Sequence, residues 1–330
     1  MAAARPKVLL TNAIDPSGVE ILARVADVVV APDAKADTLN RMVLDADVLM
    51  VRAFLPPDIF DGAHHLRGVV RHGVGLDMIP MQSATAKAIP VANVPGSNAE
   101  AVAEHAIAGM LLVARRIHRM DRVLREDGWN ASRKHSDDST ELFGRTLGVI
   151  GMGNVGTRVA QIASAAFRMR VLGTASRSKP APDFVEVSTP ERILRESDFV
   201  VLACPLTEAT RHLVNAERLA TMKPGAAIVN VARGPVTDER ALAKALADGR
   251  LRAAVVDVYD EQPIPQDHPF LSLDNIILTP HAAGITQESM KRMSQGAAEE
   301  AVRLVAFERP ANLCNPSVWD DHLRRHGRQP

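Results

Sequence analysis

Short runs of apolar, often β-branched residues alternate with amphipathic segments along almost the whole chain. Near the N-terminus these runs predict strands at residues 7–12, 27–31, 47–52, 68–73 and 90–94. A second series of runs predicts strands at residues 145–151, 169–175, 198–204, 226–232, 252–259 and 275–280. Strands that are apolar on both faces and separated by helices are typical of parallel sheets covered on both sides. The pattern therefore predicts an α/β protein with two doubly wound parallel-sheet domains.

A helix over residues 97–126 is predicted between the two series of strands. Ser97 is a suitable N-cap with Glu100 three residues further on, and the helix is long enough to bridge two domains. The polar segment that follows, residues 127–140, predicts a loop. A last helix is predicted from about residue 287 to residue 307.

Composition limits the classes of partner. Lysine plus arginine and aspartate plus glutamate both number 39 in the 330 residues, so no overall positive charge favours nucleic acid. Cys204 and Cys314 form neither a disulfide framework nor a metal-binding spacing. The chain start has no signal-peptide pattern, and the longest interior apolar run, residues 106–114, is too short to span a bilayer. We therefore expect a soluble, cytoplasmic protein with no metal site and no nucleic-acid or membrane partner.

A glycine-rich loop lies between the first strand of the second series and the helix that follows it. In GMGNVG, the residues Gly151, Gly153 and Gly156 fit the pattern G-x-G-x-x-G in the strand–loop–helix context that gives it meaning. The first glycine permits a tight turn, the second lets the backbone approach a pyrophosphate, and the third lets the helix pack on the strand. The amides at the start of the helix then face the phosphates. The sequence therefore predicts a dinucleotide site.

The end of the next strand favours NADP(H) over NAD(H). An acid that holds the ribose hydroxyls usually lies about 20 residues beyond the last glycine. Here that position is Ala175, so no carboxylate repels a 2′-phosphate. Arg177, next to Ser176, is suited to hold such a phosphate through charge-assisted hydrogen bonds. A basic run of this kind is also typical of a solvated loop.

Two polar side chains follow later strands. Arg233 comes after the strand at 226–232, and His281 comes after the strand at 275–280. In a parallel sheet the carboxyl ends of the strands share one edge, where ligands bind, so we expect both residues beside the glycine-rich loop. Together they would form a carboxylate clamp and a general acid. Taken singly, Arg233 could be a surface ion-pair partner and His281 could be a structural histidine.

Six stretches of the chain resemble the D-isomer-specific 2-hydroxyacid dehydrogenases, in the family's order. They are RHGVGLDMIP, NVPGSNAEAVAEHAIAGMLL, LGVIGMGNVG, NVARGPVTDERAL, VVDVYDEQPIPQDHP and NIILTPHAAG. The resemblance implies a Rossmann-type dinucleotide-binding domain, residues 98–287, inserted into a flavodoxin-like substrate-binding domain, residues 1–97 plus 288–330. It also implies a homodimer, with the helix after Ser97 near the interface.

The resemblance places the catalytic arginine at Arg233 and the catalytic histidine at His281. It implies that backbone amides of the loop Gly73-Val74-Gly75 hold the substrate carboxylate, and a glycine-rich turn is able to point successive N–H groups at an anion. Further nucleotide contacts are implied at Asn154, Val155, Cys204, Pro205, Val231, Ala232, Asp257 and Gly284. Arg52, at the end of the strand at 47–52, could reach a second anionic group of the substrate or could be solvated.

The implied reaction is the reversible reduction of a small 2-oxo acid to its D-2-hydroxy acid by a nicotinamide nucleotide. Arg233 would orient and polarise the substrate, and His281 would protonate the nascent alkoxide. Glyoxylate and hydroxypyruvate are the expected substrates, because small polar 2-oxo acids suit the relatives that use NADPH.

One position departs from the family pattern. The family pairs its histidine with a glutamate five residues after the Asp of DVY, and here that residue is Gln262. Asp260 is an alternative partner if the segment is extended, because residues two apart share a face. Formate dehydrogenases, relatives of the family, use a glutamine at this place, so formate oxidation is an alternative function. A nucleotide-regulated binding protein, similar to the C-terminal-binding corepressors, is a further alternative.

Overall fold

All strands of the described chain, residues 5–175 and 180–329 of the computed structural model, lie in two parallel sheets. The strands are β1 (Lys7–Leu10), β2 (Asp27–Val30), β3 (Val48–Val51), β4 (Gly68–Arg71), β5 (Val91–Ala92), β6 (Thr146–Ile150), β7 (Arg170–Gly173), β8 (Val185–Val187), β9 (Phe199–Leu202), β10 (Ala227–Asn230), β11 (Ala253–Val256) and β12 (Ile276–Leu278). The helices are α1 (Pro16–Ala23), α2 (Ala36–Met42), α3 (Met81–Ala86), α4 (Ala99–Ala114), α5 (Ile117–Asp127), α6 (Trp129–Arg133), α7 (Asn154–Phe167), α8 (Pro190–Glu196), α9 (Ala216–Thr221), α10 (Glu239–Ala247), α11 (Gln287–Val305) and α12 (Trp319–Arg325). The chain divides into two units. The first unit is formed by Met1–Asn98 and Ile285–Pro330, and the second unit by Ala99–Gly284.

The first unit contains a five-stranded sheet in the order β2-β1-β3-β4-β5, which is a flavodoxin-like order. The inner strands of this sheet, β1, β3 and β4, are buried on both faces. Along β1, Leu9 belongs to the cluster that packs under α2 and α3, whereas Val8 and Leu10 pack with α1, α11 and α12. Because successive side chains of a strand point to opposite faces, a strand buried on both sides reads as an uninterrupted apolar run.

The second unit contains a seven-stranded sheet in the order β12-β11-β10-β9-β6-β7-β8. Counted from β6, this is the Rossmann order 3-2-1-4-5-6 with one additional edge strand, β12. The order reverses between β6 and β9, so the loops after these two strands diverge and leave a crevice at the carboxyl edge of the sheet. The prediction of two doubly wound parallel sheets, one Rossmann-type and one flavodoxin-like, is confirmed.

The helix predicted over residues 97–126 is two helices, α4 and α5. The chain turns between them at Arg116, which has a left-handed φ of 53°. Helix α4 packs Ile107, Met110 and Val113 into a core of the second unit, whereas α5 has no buried residue. The prediction of one long helix is therefore wrong. Residues that favour helix continue past Arg116. The buried apolar residues that hold α4 to the sheet end before it, so the second helix is not packed in the core.

Two local predictions also differ from the structure, and one strand was not predicted. Ser97 is not the residue before α4, and its hydroxyl donates to the carbonyl oxygen of Val94 (2.8 Å) in the preceding turn. The segment 127–140, predicted as a loop, contains α6 and a turn of 3₁₀-helix. Strand β8 was not predicted, because it has only three residues and two of them, Glu186 and Val187, are exposed. Such a strand has no apolar run.

The described ranges lack three features that would point to a membrane, metal-binding or disulfide-bonded protein. Within residues 5–175 and 180–329, no helix is both long enough and apolar enough to cross a bilayer. The same ranges contain no group of three or more histidine, cysteine, aspartate or glutamate side chains that could hold a metal ion. Cys204 and Cys314 are both free thiols.

Two buried histidines make the stability of the first unit depend on pH. His72 is 3% exposed and His322 is 0% exposed, and burial lowers the pKa of each from 6.5 to about 4. The unfolded chain binds protons that the folded unit excludes. The contribution of these two histidines to the unfolding free energy is therefore fully present above about pH 6.5, and it is lost as the pH drops towards 4. At pH 4 we expect each histidine to cost about 3 kcal/mol of unfolding free energy.

Urea unfolding near pH 7 and near pH 4.5 measures this effect. In a Trp129→Phe background the remaining tryptophan, Trp319, lies in a core of the first unit and reports its unfolding. His322 stacks on Phe307 with ring centroids 6.0 Å apart, so His322→Phe is expected to fit the same space. The unfolding free energy of that variant should depend less on pH than that of the wild type, and an unchanged dependence would contradict the assignment.

Candidate active site

The glycine-rich loop joins β6 to α7 and is shaped by close backbone contacts. Gly151 has a φ of 106°, and a Cβ there would lie 2.4 Å from the amide nitrogen of Cys204. A Cβ at Gly156 would lie 2.0 Å from the carbonyl oxygen of Gly151. Side chains are therefore excluded at both positions. The amide of Gly151 donates to Thr174 Oγ1 (2.9 Å), which ties the loop to the end of β7.

Gly153 has a different environment. A Cβ at this position would meet no described atom within 4 Å, and its φ of −80° is open to any residue. Gly153 immediately precedes α7, whose first turn contains Asn154 and Val155 at the positive end of the helix dipole. Packing within the described protein does not require a glycine here, whereas a phosphate group approaching the helix start would. The loop therefore fits a dinucleotide pyrophosphate.

The position that distinguishes the two nucleotides follows β7. Ala175 is exposed there, and it supplies no carboxylate for the ribose hydroxyls. Ser176 and Arg177, predicted to hold a 2′-phosphate, lie outside the residues that the structure describes. Their contact with the nucleotide stays a prediction.

The other predicted nucleotide contacts follow strands of the same sheet. They are Cys204 and Pro205 after β9, Val231 and Ala232 after β10, Asp257 after β11, and Gly284 after β12. Burial raises the pKa of the Cys204 thiol to about 11, so this side chain is neutral near pH 7. All six positions lie towards the carboxyl edge of the sheet, and their contacts with a nucleotide stay predictions.

The histidine and the glutamine identified in the sequence are in contact. His281 Nδ1 lies 2.8 Å from Gln262 Oε1, and because an amide oxygen only accepts, Nδ1 is the donor. Gln262 Nε2 donates to the carbonyl oxygen of Tyr259 (3.2 Å), which orients the amide with its oxygen towards the ring. With Nδ1 committed to this bond, Nε2 is the ring nitrogen that gains or loses a proton. The contact therefore selects one tautomer of the neutral imidazole.

A buried aspartate shapes the loop that carries His281. Asp257 is 2% exposed. Its carboxylate accepts three hydrogen bonds, from the amides of Ala282 (2.8 Å) and Ala283 (3.0 Å) and from the Thr279 hydroxyl (2.6 Å). His281 has a φ of 53°, and its amide donates to the Asp257 carbonyl oxygen (2.8 Å). A left-handed histidine is strained, and backbone strain of this kind concentrates at functional sites.

Arg233 adds a cation to the same edge of the sheet. It is partly buried, and its Nη1 donates to the carbonyl oxygen of Ala232 (2.6 Å). Strands β10, β11 and β12 are neighbours, so Arg233, the loop of Gln262 and the loop of His281 leave the sheet side by side. A permanent cation and an acid–base group at the edge that carries the glycine-rich loop are suited to orienting an anionic substrate and moving a proton.

In the first unit, the loop Gly73-Val74-Gly75 follows β4, and the protein holds all three of its carbonyl oxygens. The donors are, in that order, the Val94 amide (2.9 Å), Asn93 Nδ2 (2.8 Å) and Arg71 Nε (3.0 Å). In a planar trans peptide the N–H points away from the C=O. The amides of Val74 and Gly75 therefore point away from these donors. This geometry suits the capture of an anion by successive backbone N–H groups.

Arg52 follows β3 in the same unit and is partly buried. Its Nη1 donates to the carbonyl oxygen of Ala13, and its Nη2 lies 3.9 Å from the Met290 sulfur. Burial lowers the pKa of the guanidinium, although an arginine stays charged near neutral pH. Part of its hydrogen-bonding capacity is thus used within the unit. That Arg52 reaches a second anionic group stays a prediction.

Sequence reasoning did not identify the residues that support these loops. Arg71 supports the Gly73–Gly75 loop, and Gly234 packs so closely on Tyr259 that a Cβ would lie 2.0 Å from the Tyr259 carbonyl carbon. Glu239 is 9% exposed and binds the loop after β11, and burial raises the pKa of its carboxyl group. The sequence offered one signal for two of them, their position. Arg71 lies shortly before the predicted loop Gly73-Val74-Gly75, and Gly234 directly follows Arg233.

The sequence is similar to known proteins along nearly its whole length. The profile of the D-isomer specific 2-hydroxyacid dehydrogenase, NAD binding domain, matches residues 107–283. A glyoxylate reductase from Korarchaeum cryptofilum is 37% identical over 326 residues, which cover 95% of this chain and 97% of that protein. A D-3-phosphoglycerate dehydrogenase from Methanocaldococcus jannaschii is 37% identical over 324 residues, which cover 96% of this chain and 61% of that longer protein.

The fold is similar to that of solved members of the same group. A Sinorhizobium meliloti NADPH-dependent glyoxylate/hydroxypyruvate reductase, in complex with NADP and malonate, superposes with a TM-score of 0.82 at 27% identity. The match covers 94% of this chain and 97% of that chain. The family profile spans more than half of the 330 residues, and the glyoxylate reductase matches almost end to end. The chain therefore belongs to the D-isomer-specific 2-hydroxyacid dehydrogenases, a family of NAD(P)-dependent oxidoreductases.

Proposed function

We propose that the chain catalyses the NAD(P)-dependent reduction of a small 2-oxo acid to its D-2-hydroxy acid, and the reverse oxidation. The observation that carries this proposal is the placement of His281 and Arg233 at the sheet edge that carries the glycine-rich loop. His281 is an acid–base group there, and its Nδ1 is held by Gln262 Oε1 at 2.8 Å. Arg233 leaves the sheet at the same edge and adds the positive charge that an anionic substrate requires.

Each catalytic side chain has one role in this proposal. When bound, the reduced nicotinamide supplies the hydride that the substrate carbonyl carbon accepts. Arg233 orients the substrate and stabilises the negative charge that develops on the carbonyl oxygen. His281, as the imidazolium, donates its Nε2 proton to that oxygen while Nδ1 stays bonded to Gln262. In the oxidation direction the neutral ring accepts the hydroxyl proton at the same nitrogen.

The two units supply different binding groups. Residues 98–287 are assigned to the nucleotide, whose pyrophosphate the glycine-rich loop would hold. Residues 1–97 plus 288–330 are assigned to the substrate, whose carboxylate the Val74 and Gly75 amides would bind. The division of the chain after residues 98 and 284 supports this assignment.

Glyoxylate or hydroxypyruvate is the proposed substrate. The relatives matched almost end to end are a glyoxylate reductase and a glyoxylate/hydroxypyruvate reductase. The phosphoglycerate dehydrogenase is a weaker guide, because this chain covers 61% of it. Both proposed substrates have the carboxylate that the backbone amides need and the 2-oxo group that Arg233 and His281 would act on.

NADP(H) is the proposed nucleotide. Ala175 stands where an acid would repel the 2′-phosphate, and Arg177 follows two residues later. Initial rates of glyoxylate and hydroxypyruvate reduction, measured with NADPH and NADH in parallel, test both the reaction and the nucleotide. Faster turnover with NADPH supports the whole proposal. Turnover that favours NADH keeps the reaction and overturns the nucleotide assignment, and no turnover with either nucleotide overturns the reaction.

Formate oxidation is a second candidate, favoured by the contact between Gln262 and His281. This reaction moves a hydride without transferring a proton to the enzyme, so a glutamine partner without charge suits it. The same assay run with formate and the oxidised nucleotides decides between the candidates. Formate-dependent nucleotide reduction without turnover of 2-oxo acids would favour this second function.

Gln262→Glu is expected to extend 2-oxo acid reduction to higher pH. A carboxylate beside the imidazole favours the charged ring and raises the pKa of His281, whereas the amide orients the ring without supplying charge. The alkaline limb of the kcat–pH profile should move up by about 1 pH unit. Gln262→Asn is the uncharged control and should not move the limb upward. Identical profiles for the glutamate variant and the wild type would contradict this role of Gln262.

A homodimer is proposed, with the apolar side of α5 and α6 as its interface. Ile117, Leu124 and Trp129 are 46%, 44% and 70% exposed, and they line one groove. Exposed apolar groups that cluster in this way mark protein interaction sites. Light scattering should therefore find a dimer for the wild type and a monomer for Trp129→Asp. Phe184→Asp, an equivalent change at an exposed residue elsewhere, is the control that should stay dimeric. A monomeric wild type would contradict the proposal.

A further inference from the structure

Glu239 holds the loop after β11 at two points. It is the first residue of α10 and is 9% exposed. Its Oε1 accepts from the amide of Asp260 (3.0 Å), and its Oε2 lies 3.0 Å from His268 Nε2. Both partners belong to the loop that contains Gln262. One buried carboxylate therefore holds this loop on either side of the residue that contacts His281.

The contact with His268 has a defined direction. His268 Nδ1 accepts from the Phe270 amide (3.3 Å), so in the neutral ring Nε2 carries the proton and donates to Glu239. The ring is packed against Phe270 and Tyr259, with centroid distances of 4.6 and 6.5 Å. His268 is thus a packed support for the Glu239 carboxylate.

The contact with Asp260 leads to His281 through a single peptide group. The Asp260 N–H and the Tyr259 carbonyl belong to the same planar peptide and point in opposite directions. Glu239 accepts from this N–H, and the carbonyl oxygen accepts from Gln262 Nε2 (3.2 Å). Gln262 Oε1 then accepts from His281 Nδ1 (2.8 Å).

Carboxylate, peptide, amide and imidazole therefore form one continuous series of hydrogen bonds. Its direction is set by the Tyr259–Asp260 peptide, whose N–H only donates and whose carbonyl oxygen only accepts, and Glu239 supplies the acceptor for that N–H. Gly234 restricts the same peptide sterically, since a Cβ there would lie 2.0 Å from the Tyr259 carbonyl carbon. The peptide is thus held by a hydrogen bond and by close packing.

We infer that Glu239 is a positioning residue for the reaction. Through the Tyr259–Asp260 peptide it fixes which end of the Gln262 amide faces His281, and so which ring nitrogen exchanges the proton. This inference rests on the proposed function. Without an acceptor for the Asp260 N–H the peptide loses one of its two restraints, and the Gln262 amide can present its NH₂ group to the ring. Glu239 acts through Gln262 and not on the reacting atoms.

A double-mutant cycle between Glu239 and Gln262 tests the inference in hydroxypyruvate reduction. Glu239→Ala is expected to lower kcat about tenfold and to change the kcat–pH profile, because the acid–base group loses its fixed geometry. In a Gln262→Ala background the same change should lower kcat less than about twofold. Glu239→Gln keeps an acceptor for the Asp260 N–H and should stay within about threefold of the wild-type kcat. Effects that multiply in the double variant, or an unchanged kcat in Glu239→Ala, would overturn the inference.

Glu300 offers a matched control in the first unit. It is 3% exposed and accepts from the Ala311 amide (2.9 Å), so it is also a buried glutamate that holds a loop. Glu300→Ala should lower the melting temperature but leave kcat and its pH profile unchanged. If Glu239→Ala does not fold, Glu239→Asp, whose shorter side chain withdraws the carboxylate from Asp260, replaces it in the cycle.

Hydrogen exchange separates failure of this inference from failure of the proposed function. Exchange of the peptide that covers residues 259–268 needs no turnover, and it should be faster in Glu239→Ala than in the wild type. If the wild type reduces no 2-oxo acid, the proposed function fails, and faster exchange then supports only the hold of Glu239 on this loop. Unchanged exchange in this peptide overturns the positioning role whatever the activity.

Discussion

His281→Asn is expected to lower kcat for 2-oxo acid reduction by about three orders of magnitude, in the middle of the range for loss of a general acid. Asparagine retains an N–H that can bond to Gln262 Oε1, but it has no proton to give to the alkoxide. Affinity for the nucleotide should change little, because the glycine-rich loop that would hold the pyrophosphate follows β6 and not β12. Steady-state kcat and nucleotide binding measured by fluorescence test both statements.

The control for this variant is His64→Asn, the same chemical change at an exposed histidine of the first unit. It should leave kcat at the wild-type value. If His281→Asn also keeps wild-type kcat, His281 is not the proton donor and the proposed mechanism is wrong. If His281→Asn instead abolishes nucleotide binding, the residue has a structural role that the hydrogen bond to Gln262 does not explain.

Two alanine substitutions in the glycine-rich loop are expected to have opposite signatures. A Cβ at Gly156 would lie 2.0 Å from the Gly151 carbonyl oxygen, so Gly156→Ala forces α7 away from the loop. We expect this overpacking to cost about 3 kcal/mol of unfolding free energy. At Gly153 a Cβ meets no described atom within 4 Å, and the backbone conformation suits alanine. Gly153→Ala should therefore leave stability near that of the wild type.

Nucleotide affinity is the second quantity to compare, and Gly153→Ala, which should leave stability unchanged, is expected to lower it. The space beside Gly153 is where the pyrophosphate is proposed to lie, so a methyl group there should weaken nucleotide binding about tenfold or more, equivalent to about 1.4 kcal/mol. Urea unfolding and nucleotide titration on both variants give the four numbers required. Wild-type nucleotide affinity in a folded Gly153→Ala variant would show that the loop does not hold the nucleotide.

Much of the fold could be predicted because the inner strands of both sheets are buried on both faces. Each strand of the Rossmann-type sheet from β6 to β12 was visible as an apolar run except β8, where Glu186 and Val187 face solvent. The break between α4 and α5 could not be predicted in the same way. Residues on both sides of Arg116 favour helix, and only the packing of α4 in the core decides where the first helix ends.

The candidate site could be predicted where its residues lie just after the carboxyl ends of strands. Gly151, Arg233 and His281 each lie a few residues after a strand, and the parallel order brings such positions to one edge. Glu239 could not be found by this reasoning. Its partners Asp260 and His268 lie 21 and 29 residues away along the chain, and no local pattern encodes a hydrogen bond between a helix and a distant loop. The sequence also left two partners open for His281, and the hydrogen bond to Gln262 is a property of the folded loops.

The configuration of the product tests the central claim most directly. Wild-type protein would be incubated with hydroxypyruvate and NADPH, and the glycerate formed would be separated into its enantiomers and compared with the nucleotide consumed. The proposed reaction predicts one glycerate for each nucleotide oxidised, all of it the D-enantiomer. Formation of L-glycerate, or no product in the presence of a nucleotide that binds, would contradict the claim that this chain reduces a 2-oxo acid to its D-2-hydroxy acid.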